Sequence, residues 1–140
     1  MSVPVPLRNK STLDAQIKTD DMVQHTLIIL SNEKVFNPRF QVVADKVIGL
    51  CLDISQNIWE ANNTRVRKNP KRWERRNDLQ ILALAQFDRL LTLVRICRGL
   101  YHLRGKKYIA WVDKICIAKD ATKKWHIADV KRYGSLSLGN

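Results

Sequence analysis

Apolar residues recur at helical spacing along most of the chain, and its core region shows no sustained period-two alternation. From Pro38 to about Asn63, the residues Phe40, Val43, Val47, Leu50, Ile54 and Ile58 step by 3, 4, 3, 4 and 4, which keeps them on one stripe of a helix. Asn37 suits the N-cap, and Pro38 suits the first helical position, where a missing N–H costs nothing. Asn69-Pro70 repeats that start signal. After it, Leu79, Ala83, Gln86, Leu90, Leu93, Cys97 and Leu100 step by 4, 3, 4, 3, 4 and 3, the most regular heptad seam in the chain. This third segment should end near Leu103, with Gly105 as a turn residue. A first segment runs from about Thr19 to Asn32, with Val23, Leu27 and Leu30 on one face. Asp20 and Asp21 would lie in its first turn, where the helix dipole favours negative charge. A fourth runs from about Lys107 to Lys131 along Tyr108, Trp111, Ile115, Ala118, Thr122 and Trp125. Four such segments predict an all-α, up-down-up-down antiparallel four-helix bundle.

The third segment is apolar on more than one side. Ile81, Leu84, Leu91 and Ile96 fall outside its seam, among Asp88, Thr92 and Arg95. Such a helix either has two neighbours within the bundle or offers a face to another subunit. The ends read differently. Residues 1–18, with Pro4 and Pro6, form an N-terminal arm in this reading. Residues 19–132 form the bundle, and 133–140, with Gly134 and Gly139, a flexible tail.

Length and composition sharpen this picture. A chain of 140 residues, 45% hydrophobic and 27% charged, has the makings of one globular domain. Five glycines and four prolines are too few for a turn-rich β-sandwich or barrel. The purest aliphatic run, Leu27 to Leu30, is far short of the ~20 residues that span a bilayer, so no membrane segment is expected. No leader-like apolar stretch opens the chain. Three cysteines without a CxxC pair fit reduced thiols and a cytoplasmic location.

Charge points to a partner. Lys and Arg number 25 against 13 Asp and Glu, a net +12, and a field of that sign favours polyanions. Residues 1–64 hold 6 basic and 7 acidic side chains, whereas residues 65–140 hold 19 and 6. The densest stretch lies between the second and third helices. From Arg65 to Arg76 there are seven basic residues in twelve and one acid: Arg65, Arg67, Lys68, Lys71, Arg72, Arg75 and Arg76. Cations at a helix N-terminus oppose its dipole, so an anionic partner such as nucleic-acid phosphate would explain them. The plainer reading is a solvated charge run. Trp73 offers a flat surface for an unpaired base, or a core residue. Further cations follow along the third and fourth helices, with Arg89, Arg95 and Arg98 on the third; Arg95 and Arg98 could grip phosphate or an acidic protein surface in fork geometry.

Catalytic signals are sparse. HExxH, GxSxG, GxxxxGK[ST] and GxGxxG are all absent, and His25, His102 and His126 lie far apart. Cys51, Cys97 and Cys116 fall one to a helix. They could meet as a thiolate site, but packing as small hydrophobes is the expectation. Asp53 and Glu60, one heptad apart, would need a second acidic pair to make a metal-dependent nuclease, and beyond the basic stretch the third helix offers only Asp78 and Asp88. Glu60 beside Asn57 reads instead as a hydrogen-bonding pair at the bundle end. A non-enzymatic protein with no cofactor and no metal is expected.

One set of residues has a family character. Ile54-Ser55-Gln56-Asn57-Ile58-Trp59-Glu60 precedes the basic loop. Asn77-Asp78-Leu79-Gln80-Ile81-Leu82-Ala83 and Asp88-Arg89-Leu90-Leu91-Thr92-Leu93-Val94-Arg95 follow it, and Tyr108-Ile109-Ala110-Trp111-Val112 opens the fourth helix. Over about residues 20–132 this resembles the accessory variability determinant (Avd) proteins of diversity-generating retroelements. It also resembles the four-helix-bundle proteins encoded in ribosomal-RNA intervening sequences, which share the pattern I-x-x-N-I-x-E. A small Gly commonly follows that Glu in the intervening-sequence relatives. Ala61 and Asn62 follow here, which favours the retroelement branch. The resemblance implies a basic, ring-like homopentamer that binds a reverse transcriptase and its template RNA or cDNA, supports error-prone cDNA synthesis and mutagenic retrohoming, and catalyses nothing itself. It further implies a binding role for arginines of the third helix. Arg95 matches by its place seven residues after Asp88, and Arg98 matches less closely. The alternative it implies is an intervening-sequence bundle protein with general nucleic-acid binding. The basic loop is not carried over from either family and rests on charge alone.

Overall fold

The computed structural model describes residues 10–137. Within them the chain forms α1 (Lys10–Leu30), a short 3-10 turn (Pro38–Phe40), α2 (Gln41–Asn63), α3 (Pro70–Tyr101), α4 (Gly105–Tyr133) and a final 3-10 turn (Gly134–Leu136), with no strand among the described residues. Each helix packs on its predecessor and α4 closes onto α1, the tightest pairs being α1 with α4 and α2 with α3. Cross-helix partners run in opposite senses: Asn77 with His126, Asp88 with Lys119 and Arg98 with Tyr108 link α3 to α4. The four-helix bundle is therefore antiparallel. Its lower end gathers the start of α1, the α2–α3 loop and the end of α4. Its upper end gathers the other two connections.

Both Asn-Pro pairs form side-chain caps, but Asn37 caps only the 3-10 turn, and α2 itself starts at Gln41, three residues later than expected, with no side-chain cap. Asn37 Oδ1 accepts from the Arg39 N–H at 3.0 Å. Asn69 Oδ1 accepts from Lys71 N–H at 3.0 Å and Arg72 N–H at 3.2 Å, satisfying two donors that would otherwise have no partner. The end of α3 differs from expectation. His102, not Gly105, takes the left-handed conformation, with φ 51°, and Gly105 is already the first residue of α4. The sequence Tyr101-His102-Leu103-Arg104 makes the reversal because Tyr101 and Leu103 are both held down in the core.

α1 begins at Lys10, nine residues before the expected start at Thr19, so much of the expected arm is helix. Asp20 and Asp21 therefore lie mid-helix. The reason is chemical: Thr12, Ala15, Thr19, Met22 and Thr26 form its buried seam, stepping 3, 4, 3 and 4. Threonine and alanine carry no strong apolar signal, yet both fit a crowded interface. Trp111 Nε1–H donates to Thr26 Oγ1 at 2.9 Å, which gives both buried polar groups a partner. Residues 1–9 of the arm lie outside the described residues. Part of the expected tail is ordered too. Tyr133 ends α4, its ring 5.6 Å from that of Trp73, and Trp73 Nε1–H donates to Ser137 Oγ at 3.2 Å. Residues 138–140 lie outside the described residues.

The core runs the length of the bundle through Val47, Ile54, Ile58, Phe87, Leu90, Val94, Trp111, Ile115 and Trp125. On α3 the buried line is Trp73, Arg76, Gln80, Ala83, Phe87, Leu90, Val94, Cys97 and Tyr101. The expected seam shares Ala83, Gln86, Leu90 and Cys97 with the buried residues, while Leu79, Leu93 and Leu100 are only half-buried at its edge. A helix between two neighbours buries a stripe wider than one a/d line, and the heptad positions trace its α2-facing border.

Candidate nucleic-acid interface

The α2–α3 loop is a tight reversal. Asn69 N–H donates to the Val66 carbonyl at 2.9 Å, and the two residues between, Arg67 and Lys68, have φ of 47° and 58°. Two successive positive φ values mark the type I′ pattern, where Asn and Gly are the favoured occupants. Here both places hold long cations. Val66 beneath them is buried and anchors the turn, so Arg65, Arg67 and Lys68 are exposed around it. Lys71 and Arg72 continue the exposed patch onto the first turn of α3. Lys131 and Arg132, at the last turn of α4, belong to the same end, since the adjacent Tyr133 packs on Trp73.

Two of the seven expected contacts are engaged elsewhere. Arg75 is exposed but ion-paired with Glu60 of α2. Arg76 is only 8% exposed. Its Nε–H donates to Asp129 Oδ2 at 2.6 Å, and Gln80 Nε2–H donates to the same oxygen at 2.8 Å. The guanidinium lies 5.3 Å from the Trp125 ring centre and 5.9 Å from that of Tyr133. Arg76 is thus a structural arginine that ties α3 to α4, and it leaves the set of phosphate contacts. The reason is its place on the buried line, three residues after Trp73 and four before Gln80.

Trp73 is 2% exposed and no base can stack on it. The exposed tryptophan is Trp59, at 60%, one turn before the end of α2. It borders an open cleft with Gln16, Asp20, Leu52, Ser55 and Gln56. Sequence reasoning overlooked it, although its place directly after the seam residue Ile58 rotates it by about 100° away from the core.

The arginines of α3 do not form one cluster. Arg89 lines a groove with Lys46, Gly49 and Asp53 of α2, whereas Arg98 lies over the Tyr108 ring of α4 at 4.6 Å. Arg95 is exposed, and six residues of helix place it about 240° around the axis from Arg89. Arg98 also lies about 39 Å along α3 from Arg72, so the basic loop and the Arg95–Arg98 pair sit near opposite ends of the bundle.

The remaining candidates are structural. Asn57 Nδ2–H donates to Gln86 Oε1 at 2.8 Å, joining α2 to α3, while Glu60 takes Arg75. Burial pushes the thiols of Cys51 and Cys97 up to about 11, which keeps them protonated, and Cys116 lies apart on an exposed surface of α4. Among the described residues no group of three or more His, Cys, Asp or Glu is placed to hold a metal ion, and no helix is long and apolar enough to cross a membrane.

Fold and charge together define a small four-helix bundle with an exposed cationic loop between α2 and α3. Comparison of the chain with protein-family models, with curated proteins and with solved structures finds no match.

Proposed function

We propose that this chain is a non-enzymatic accessory protein of a diversity-generating retroelement, holding template RNA or cDNA for a reverse transcriptase during error-prone synthesis and mutagenic retrohoming. The observation that carries the RNA-binding part is the cluster Arg65, Arg67, Lys68, Lys71 and Arg72. All five are exposed and none has a carboxylate partner among the ion pairs of the described residues. Releasing counterions from nucleic acid is what such a cluster does best. Trp59, at the same end, offers the stacking surface that the buried Trp73 cannot. The retroelement part rests on the resemblance of Ile54 to Glu60 and of the Asp88–Arg95 segment.

Self-association into a homopentamer belongs to the same reading. Leu82 and Ile96 are exposed on the side of α3 that borders α2. Gly49, inside α2, and Gly99, in the last turn of α3, are exposed residues above which a Cβ would meet nothing within 4 Å. A glycine in a helix interior, as Gly49 is, costs about 0.5–1 kcal/mol relative to alanine, and the fold of one subunit gives no steric reason for it. Close approach of a second subunit would supply one. Five copies at +12 each would carry +60, a charge that a bound polyanion offsets.

The test is reconstituted cDNA synthesis with a reverse transcriptase of a diversity-generating retroelement and its template RNA. Adding the protein should stimulate synthesis. Arg95→Glu with Arg98→Glu should abolish the stimulation while leaving the helical circular dichroism intact. Stimulation unaffected by that pair would remove the Arg95–Arg98 assignment. RNA binding with no effect on any reverse transcriptase would leave the intervening-sequence alternative.

A further inference from the structure

The upper end of the bundle carries two clefts that share a wall. One, of about 270 Å³, lies between α1 and the start of α4 and is bounded by Ile28, Ile29, Val35, Phe36, Ala110 and Trp111. Its floor is rigid, because Phe36 and Trp111 meet edge to face with ring centres 6.1 Å apart and Trp111 is anchored through Thr26. Its rim is Ile28, 71% exposed, the most exposed large hydrophobic side chain among the described residues. The second cleft, of about 360 Å³, contains Lys34, His102, Arg104 and Lys107 and no carboxylate. Val35, Leu103 and Lys107 line both.

The geometry points to a docking site for an acidic protein segment that carries one aromatic or branched aliphatic anchor. Charge complementarity selects the acidic flank: three obligate cations line the second cleft, and Lys107 stands where the two clefts join. Shape and polarity select the anchor. The first cleft offers an apolar side chain a mostly apolar wall, with only His25, Asn32 and Lys107 as polar lining. RNA would answer the cations but strand the polar edge of any base pushed into that cleft. An acidic segment with a buried anchor satisfies both clefts at once, the arrangement typical of interface hot spots ringed by charge. This site is at the opposite end from the basic loop, and it stands whether or not that loop binds RNA.

The probe is a short fluorescein-labelled peptide, mostly glutamate with one central phenylalanine, titrated into the full-length protein by fluorescence anisotropy. The same peptide with serine in place of phenylalanine is the control. We expect saturable binding that weakens about tenfold or more with the serine control. Ile28→Glu, which sets a carboxylate at the exposed rim, and Arg104→Glu with Lys107→Glu should each weaken it by a similar factor. Circular dichroism should be unchanged in both. Affinity for polyuridine, measured on the same Ile28→Glu protein, should be unaltered, which separates this site from the RNA reading. No binding, equal binding of both peptides, or binding indifferent to Ile28→Glu would overturn the proposal. So would displacement of the peptide by polyuridine in equal measure from the wild type and from a protein lacking the basic-loop cations, which would make this end a nucleic-acid site.

Discussion

Arg72 and Arg76 sit one helical turn apart on α3, and they have opposite fates. The Arg72 side chain is exposed and has no carboxylate partner among the described residues. Arg76 is buried against Asp129, Gln80 and Trp125. Residue type and local charge density are the same at both positions. What differs is register: Arg76 falls on the line that α3 turns toward α4. A run of cations at a helix start can therefore hold two populations, one that builds the end of the bundle and one that the bundle displays.

The largest expected effect breaks the buried member. Arg76→Ala leaves Asp129 3% exposed and without its ion partner. Removing one side of a buried pair costs about 3–5 kcal/mol. Thermal melts followed by circular dichroism should show a large drop in Tm, with Asp129→Ala nearly as severe. A Tm within a few degrees of wild type would mean that Arg76 is an ordinary surface cation.

Trp59→Ala probes the displayed surface at the same end. If a base stacks on the indole, affinity for single-stranded RNA should fall by about 1–3 kcal/mol, with little change in Tm. Unaltered affinity would reassign Trp59 to protein contacts.

The smallest effect concerns the turn. Lys68 holds φ 58°, a conformation costing an L side chain about 1–2 kcal/mol, part of which glycine recovers. Lys68→Gly should raise stability by about 1 kcal/mol in urea melts and at the same time weaken RNA binding. Opposite signs in the two measurements would identify a cation kept for binding at the expense of stability. Stability and affinity falling together would deny that.

Much of this architecture was legible from spacing alone. α2, α3 and α4 were readable because each pairs an Asn-Pro cap or a strong aromatic signal with a 3-4 seam of large residues. Trp111, Ile115, Ala118, Thr122 and Trp125 are all buried as expected. The first half of α1 was not legible, because its seam is written in threonine and alanine, whose burial depends on what neighbours them. The basic loop could be found by charge. Its division could not, since a heptad read from Leu79 onward never extends back to show that Trp73 and Arg76 belong to the core. Trp59 was hidden by the opposite bias: a tryptophan beside a seam looks like core until the helix phase is followed through it.

In the proposed function the exposed cations of the loop bind polyanion. The most direct test is fluorescence anisotropy with labelled single-stranded RNA and nuclease-treated protein, across a salt series. It compares wild type with a variant in which Arg65, Arg67, Lys68, Lys71 and Arg72 are replaced by Gln. Each phosphate contact on a single strand contributes about 0.7 to the slope of log K against log salt. Wild type should bind with a steep slope, and the variant should lose most of both affinity and slope while keeping its fold. A variant that binds as tightly and as steeply as wild type would place the polyanion surface elsewhere on the bundle.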